Sequence, residues 1–348
     1  MTLIDCDVHN VVGPIETLEP YLDAHWREVI ATSQFAGPTD QAHPPNLATS
    51  MRSDLAPGPD GDAPGRTVRA LRAQLLDPLG AEVAILSCDY GIESVRNPDA
   101  AAALARAVNE WQAAEWLERE PRLRAAIVVP SAQPAAAVSE IEHWSADRRF
   151  VSVYLPVRSA IPYGNRIWWP LWEAIVRHEL VAELHFGGSP GVPPTAAGWP
   201  TSWLEEYVDM ASAFAAQLTS LVAEGAFDRF PGLRISLIES GFAWLPAFLW
   251  RFDKGWRGLR REVPWTTRLP SDYVRDHVRV SLQPVDGPFE PAELLRVIDQ
   301  LGSERMLMFS SDYPHRHVTE DLAAVPEGIP PAVAEGLLSG NAREHYRL

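Results

Sequence analysis

Two side chains of metal-ligand type, Asp7 and His9, follow the apolar pair Leu3-Ile4 near the start of the chain. Alternate residues of a strand point to one face, so an Asp-x-His pair at a strand end can reach a single point together. Alone, the pair fits a solvated loop start or a capping pair equally well. Later residues of the same kind give it weight: His185 in ELHFGG and Asp312 in FSSDYPH, each just past an apolar run. Two imidazoles and two carboxylates make a mixed nitrogen and oxygen set suited to Zn²⁺, Mn²⁺ or another divalent first-row ion. Taken singly, His185 also fits a hydrogen-bonded core or rim histidine, and Asp312 a turn residue that satisfies its own backbone.

The elements that must bring these four together follow one rhythm, a short β-branched run, a loop, then a longer stretch of helical period. Strands are expected over Leu3–Val8, Val83–Cys88, Arg124–Pro130, Phe150–Pro156, Leu180–Phe186, Leu233–Ser240, His277–Pro284 and Arg305–Asp312. Helical patterns fall over Asp99–Glu120, Gln133–Ala146, Ile167–His178, Trp203–Phe227, Ala243–Arg261 and Pro291–Leu301. Alternating strands and helices argue a parallel sheet with βαβ crossovers, and eight repeats argue closure into a TIM-type (β/α)8 barrel. Chemistry in such barrels sits at the C-terminal ends of the strands, where all four candidate ligands fall. An open doubly wound sheet is the alternative, but no Gly-rich nucleotide turn follows the first strand.

Composition narrows the function classes. A chain of 348 residues, 46% hydrophobic, can bury a large core as one domain over 1–348. The formal charge of −16 argues against a nucleic-acid binder, which needs a basic face. No run approaches the 18 apolar residues of a membrane span, and the first residues lack a basic region followed by an apolar one, so no signal peptide is expected. Cys6 and Cys88 are too few for a disulfide framework and fit a reducing cytoplasm. Lys254 is the only lysine. Two segments break the rhythm: 30–65, long and rich in Pro and Gly after the first strand, a candidate lid or a surface loop, and Gly187–Pro200 after the fifth.

The motifs Ile4-Asp5-Cys6-Asp7-Val8-His9, His185-Phe186-Gly187-Gly188, Phe309-Ser310-Ser311-Asp312-Tyr313-Pro314-His315 and Gly340-Asn341-Ala342-Arg343 resemble those of the amidohydrolase superfamily. The likeness is to its branch of aminocarboxymuconate-semialdehyde decarboxylase-like and aromatic-acid decarboxylase-like proteins, and it spans nearly the whole chain in order. It implies a distorted (β/α)8 barrel holding one divalent metal on Asp7, His9, His185 and Asp312. Many members have His where Asp7 stands. The anionic replacement favours a harder ion such as Mn²⁺ over Zn²⁺. Binuclear members bridge two metals with a lysine on the fourth strand; Phe150–Pro156 has none, so one metal is expected.

One departure matters. Where many relatives carry His-Gly-Gly after the sixth strand, this chain reads Ile238-Glu239-Ser240-Gly241, with Glu239 or Ser240 in the histidine's place. Glu239 could act as a general base, its pKa raised beside apolar aromatics, or could simply cap the positive end of the following helix. The expected catalytic set is Asp312, Glu239 and His185. Arg251 stands where decarboxylase-like relatives carry an arginine that reaches substrate across a homodimer interface, and a guanidinium suits a carboxylate; a helix-surface pair with Asp253 is its other reading. His315, with His317 beside it, and Trp244 complete the expected substrate-binding residues.

Two chemistries fit. As a lyase, the site would chelate a small aromatic or unsaturated carboxylic acid, protonate the carbon bearing the carboxylate and release CO₂. As a hydrolase, it would activate a metal-bound water against an ester, lactone or amide. Non-oxidative decarboxylation is the favoured expectation.

Overall fold

The computed structural model describes residues 2–39, 43–44, 55, 57–59, 61–189, 191–315 and 325–348. Eight strands form one sheet in sequential order: β1 Leu3–Val8, β2 Ala81–Leu86, β3 Leu123–Val128, β4 Phe150–Pro156, β5 Val181–His185, β6 Ile235–Ile238, β7 Val278–Ser281 and β8 Leu307–Met308. Every neighbouring pair is parallel. Backbone bonds join the end of β8 to β1: Cys6 N–H to the Phe309 carbonyl (3.0 Å), Asp312 N–H to that of Asp7 (3.1 Å) and His9 N–H to that of Tyr313 (2.7 Å). The result is the expected TIM-type barrel, nearly closed.

Apolar side chains cover both faces of the sheet, as parallel strands require. Ile4, Cys6, Val83, Ile85, Val181, Ile238 and Met308 belong to one buried cluster with Tyr346 of the C-terminal helix Asn341–Tyr346. A larger cluster packs the other side of the strands against the helices. Local chemistry starts those helices. Asn97 accepts from the N–H groups of Asp99 and Ala100 ahead of Pro98–Trp111, and Ser202 with Glu205 forms a capping box on Trp203–Ala223.

β1 and β4 run as the sequence predicts, β2 keeps its expected length but starts two residues earlier, and the other strands are shorter. The largest difference is β8, expected over Arg305–Asp312 and observed over two residues. Side chains replace its ladder: Ser310 Oγ accepts from Gln283 N–H at 2.9 Å, and Asp5 Oδ1 accepts from Ser311 N–H at 3.0 Å. The helix Pro270–His277, which abuts β7, was not foreseen, because its sequence is polar and short.

Much of the expected lid, 30–65, lies outside the described residues. Its described parts touch the short helical turn beyond β2 and the first turn of the helix Trp203–Ala223: Thr39 N–H donates to Ser94 Oγ (3.1 Å) and His43 N–H to Glu206 (2.5 Å). Gly65 closes the segment against the barrel. It adopts φ +77°, donates to Tyr313 Oη at 3.0 Å, and a Cβ there would lie 3.1 Å from the His9 carbonyl oxygen. Only glycine tolerates both the left-handed backbone and that approach.

Candidate metal centre

At the C-terminal ends of β1, β5, β6 and β8, five side chains converge. His9 Nε2 lies 3.0 Å from Glu239 Oε1, 3.1 Å from Asp312 Oδ1 and 3.5 Å from Asp7 Oδ1. His185 Nε2 lies 3.4 Å from Asp7 Oδ1 and 3.7 Å from Glu239 Oε1. One imidazole hydrogen cannot serve three carboxylates. Asp7 Oδ1 and Oδ2 and His185 Nε2 are buried and make no hydrogen bond among the described residues. Buried polar atoms left so are costly, and a cation explains them. An ion about 2.0–2.2 Å from each donor sets neighbouring donors roughly 3.0–3.5 Å apart, close to the separations seen. The residues therefore fit one divalent ion.

The donors fall into two overlapping groups, Asp7, His9, His185 and Glu239, and His9, Glu239, Asp312 and His315. The four expected residues are split between these groups, with Asp312 apart from Asp7 and His185, while His9 and Glu239 belong to both. The position of Glu239 has a backbone cause. Glu239 directly follows β6 with φ +56°, and Asp312 has φ +53°. A left-handed backbone at a residue other than glycine costs on the order of 1–3 kcal/mol and persists only where surroundings enforce it. Ser281 Oγ accepts the Glu239 N–H at 2.9 Å, and the Asp7 carbonyl holds the Asp312 N–H. Below them Asp5 Oδ1 accepts from both Asp7 N–H (3.2 Å) and Ser311 N–H (3.0 Å), tying together the two chain segments that carry Asp7 and Asp312. Burial pushes that carboxyl up to about 7.

The histidines are oriented. His185 Nδ1 meets the Phe186 carbonyl at 3.0 Å, which leaves Nε2 facing inward. His315 Nδ1 lies 2.7 Å from Asp312 Oδ1 and 3.5 Å from Glu239 Oε1. Burial and His315 lower His9, but Asp7, Asp312 and Glu239 outweigh them and lift it to about 10; burial also lowers His185, yet Glu239 and Asp7 raise it to about 9. Burial and Asp312 push Glu239 up, and His185, His315 and His9 together bring it below the ordinary carboxylate range. That is opposite to the rise expected from the sequence, because imidazoles rather than apolar rings surround the carboxylate. Its helix-capping alternative is not realised either. The helix Leu245–Leu259 starts six residues on, and Asp286 Oδ1 accepts the N–H groups of Phe242 and Ala243 (2.9 and 3.0 Å).

The other expected residues divide. His315 joins the cluster. Trp244 turns its Nε1 to the carbonyls of Ser240 (2.9 Å) and Gly241 (3.2 Å), bracing the loop behind Glu239. Arg251 is exposed on Leu245–Leu259 and takes no part in the cluster of its own chain; Asp253, its expected partner, instead accepts from Ser271 N–H and Oγ. His317 lies outside the described residues. Sequence reasoning missed Asp5, although the alternation Asp5-x-Asp7-x-His9 carried its signal, and also Asp89, whose side chain accepts from Tyr154 Oη at 2.8 Å.

The amidohydrolase family profile matches residues 4–348. A γ-resorcylate decarboxylase of Rhodococcus jostii (strain RHA1) is 27% identical over 290 residues, which cover 75% of this chain and 83% of that protein. A 2,6-dihydroxybenzoate decarboxylase solved with 2,6-dihydroxybenzoate superposes with TM-score 0.72 at 21% identity, covering 100% of both chains. A dihydroxybenzoic acid decarboxylase from Polaromonas sp. JS666, solved with manganese and 2-nitroresorcinol, gives TM-score 0.69 at 20% identity, covering 100% of this chain and 97% of that one.

Proposed function

The chain belongs to the amidohydrolase family, and from that premise we propose that it is a metal-dependent, non-oxidative decarboxylase of a small aromatic carboxylic acid. The observation that carries this reading is the convergence of Asp7, Asp312 and Glu239 on His9 Nε2, all within 3.5 Å, beside His185. Asp7, His9, His185 and Asp312 would hold one divalent ion, with Mn²⁺ or Zn²⁺ the candidates. The acidic Asp7 and the manganese in the Polaromonas structure favour Mn²⁺. When bound, such an ion supplies positive charge that chelates the acid and stabilises negative charge developing on it.

The chain's own groups then handle the proton. Asp312 delivers it to the ring carbon that bears the carboxylate. The bond from that carbon to the carboxylate breaks, CO₂ leaves, and the proton remains in the product. His315, within reach of both Asp312 and Glu239, relays a proton between them, so Glu239 restores the donor for the next turnover. No redox cofactor is required. Because the relatives reported above are decarboxylases, hydrolysis of an ester, lactone or amide is not favoured.

We also propose a homodimer. Trp250 and Arg251 are exposed side by side on the helix Leu245–Leu259, and a second copy packed against them would bring Arg251 towards the partner's substrate carboxylate. The two cysteines are free and buried, which accords with a reducing cytoplasm. Among the described residues no helix is long and apolar enough to cross a membrane.

The test is CO₂ release from a panel of hydroxybenzoates, with no redox cofactor added, before and after chelation and reloading with Mn²⁺ or Zn²⁺. Activity that falls at least about 10³-fold on chelation and returns with near one metal per chain supports the reading. Turnover of a lactone or amide panel with no CO₂ from any acid overturns it.

A further inference from the structure

A cavity of about 320 Å³ opens at the end of the barrel where the strands begin, opposite the metal centre. That volume falls in the range of small-ligand sites. Its walls are the buried Phe150 and Val151 at the start of β4, Leu180 just before β5, and Tyr346 of the C-terminal helix. Val151 and Tyr346 also belong to the apolar cluster that includes Ile4, Val181 and Ile238, so an occupant would extend that core. The walls are braced from behind. Arg234 donates to the carbonyls of His345 and Glu179, tying the C-terminal helix to the turn before β5, and Ser236 Oγ meets Tyr346 Oη at 2.9 Å. A cavity set in advance lowers the ordering cost of binding.

Charge at the rim is out of balance. Arg347 pairs with Glu179, while His178 (2.8 Å) and Arg177 (3.1 Å) take Glu142. Arg148, exposed on the rim, makes no hydrogen bond or ion pair among the described residues. Burial and the nearby Arg347 push Arg234 down to about 10, and its Nε is buried without a partner among those residues. Arg148, Arg234 and Arg347 thus gather with the single carboxylate of Glu179, in a chain whose net charge is −16.

We propose that this cavity is a second binding site, separate from the metal centre, for a small organic anion with an apolar body. Walls and rim select the two halves of that ligand. The body covers Phe150, Val151, Leu180 and the Tyr346 ring, removing apolar surface from water. The anionic head accepts from the Arg148 guanidinium in a charge-assisted bond, and Arg148 gives up no internal partner to make it. The three guanidinium groups repel a cation, and an inorganic anion would leave the apolar walls wet. Nothing in this site depends on a metal or on a substrate at the mouth, so it stands apart from the decarboxylase reading.

The probe is naphthalene-2-sulfonate, titrated by calorimetry into the metal-loaded protein, because a sulfonate is a weaker metal ligand than a carboxylate. About one probe per chain should bind, with Kd below about 1 mM. Removing the metal with a chelator should change that Kd by less than about twofold, since the two sites lie at opposite ends of the barrel. Arg148→Glu, at an exposed position, should weaken binding at least about tenfold. Neutral 2-naphthol and inorganic sulfate should each bind at least about tenfold more weakly than the probe, since each offers only one half of the ligand. Backbone hydrogen exchange should slow on binding at 148–151, 178–181 and 345–348 but not at 239–244, which locates the site without any variant. Absence of saturable binding, an Arg148→Glu affinity equal to wild type, or protection confined to the mouth overturns the proposal. Sulfate bound as tightly as the probe overturns it as well, because the apolar walls would then select nothing.

Discussion

Carboxylates are common at both ends of this barrel, and the two ends treat them in opposite ways. Where the strands begin, carboxylates meet arginines: Glu82 with Arg343 (2.6 Å) at β2, Glu120 with Arg122 (2.9 Å) and Arg72 before β3, Asp147 with Arg149 (2.6 Å) before β4. Glu179 with Arg347 before β5 and Glu344 with Arg305 before β8 continue the pattern. Where the strands end, Asp7, Glu239 and Asp312 crowd around the imidazole of His9, and the nearby Arg158 pairs with Glu206. Two of those three carboxylates also hang on a left-handed backbone. A fixed guanidinium neutralises a carboxylate permanently. Imidazoles, unlike guanidinium groups, can give up their protons and so leave the cluster free to exchange them for a metal. One end holds the fold together and the other keeps its charge available for chemistry, as barrel enzymes generally divide the work.

Substitutions can break that division, and the largest effect belongs to Asp312→Asn. The amide can neither carry the proton nor supply an anionic donor, so kcat should fall at least about 10³-fold. Thermal unfolding of the metal-loaded protein reports whether the fold survives; loss of the fold with the activity would mean that the mouth also bears stability. Glu239→Gln comes next. It keeps the shape, and Ser281 still holds the backbone N–H, so the loaded enzyme should lose about 1 kcal/mol or less in unfolding free energy. Its kcat should drop about 10²-fold or more, the usual worth of a positioned proton carrier. Full activity in this variant would remove Glu239 from the proton relay.

At the opposite end the readouts should exchange. Arg122 and Arg72 outweigh burial and hold Glu120 well below its ordinary 4.5, at about 2. A carboxyl whose folded value is depressed contributes stability above its unfolded pKa, and that contribution is lost as the pH falls through the folded one. The window is therefore about pH 4.5 down to about 2. Glu120→Gln should cost roughly 2 kcal/mol at pH 7, with the arginines' partial exposure already discounted. Urea titrations of both proteins should converge as the pH approaches 2, with kcat of the variant unchanged at neutral pH. A gap that persists in acid would assign the effect to packing instead.

The architecture was largely legible in the sequence because β-branched runs alternate with helical periods, and all eight strands and the six helical patterns appear. The candidate ligands at the strand ends were legible for the same reason: Asp7, His9, His185 and Asp312 each close an apolar run. What was hidden lies where side chains override the ladder. Ser310, Asp5 and the left-handed Asp312 end β8 early, and no periodicity announces that. Glu239 was visible as a departure from the family pattern, but the rotation that brings it beside His9 depends on its positive φ, which the residue type does not encode. Asp89 sits in a loop beyond β2, and only Tyr154, 65 positions away, shows where it points.

The smallest expected effect sharpens the comparison most, since it asks whether every pair at the stabilising end matters. Arg343 and Glu82 meet at 2.6 Å but are 39% and 41% exposed, so water competes for both charges and salt screens them. Ordering two long side chains offsets much of what remains, and exposed pairs typically contribute about 0–1 kcal/mol. Glu120, at 3% exposure and with two arginines, is screened far less, although those arginines are 42% and 29% exposed. Arg343→Ala should therefore shift unfolding free energy by no more than about 0.5 kcal/mol and shrink further in 1 M salt, even though it removes the final residue of the closing Gly-Asn-Ala-Arg motif. A loss of 2 kcal/mol or more in urea titration would show that the C-terminal helix is anchored by this pair rather than by buried Tyr346 and by Asn341, whose Nδ2 donates to the carbonyls of Leu307 (2.8 Å) and Glu304 (2.9 Å).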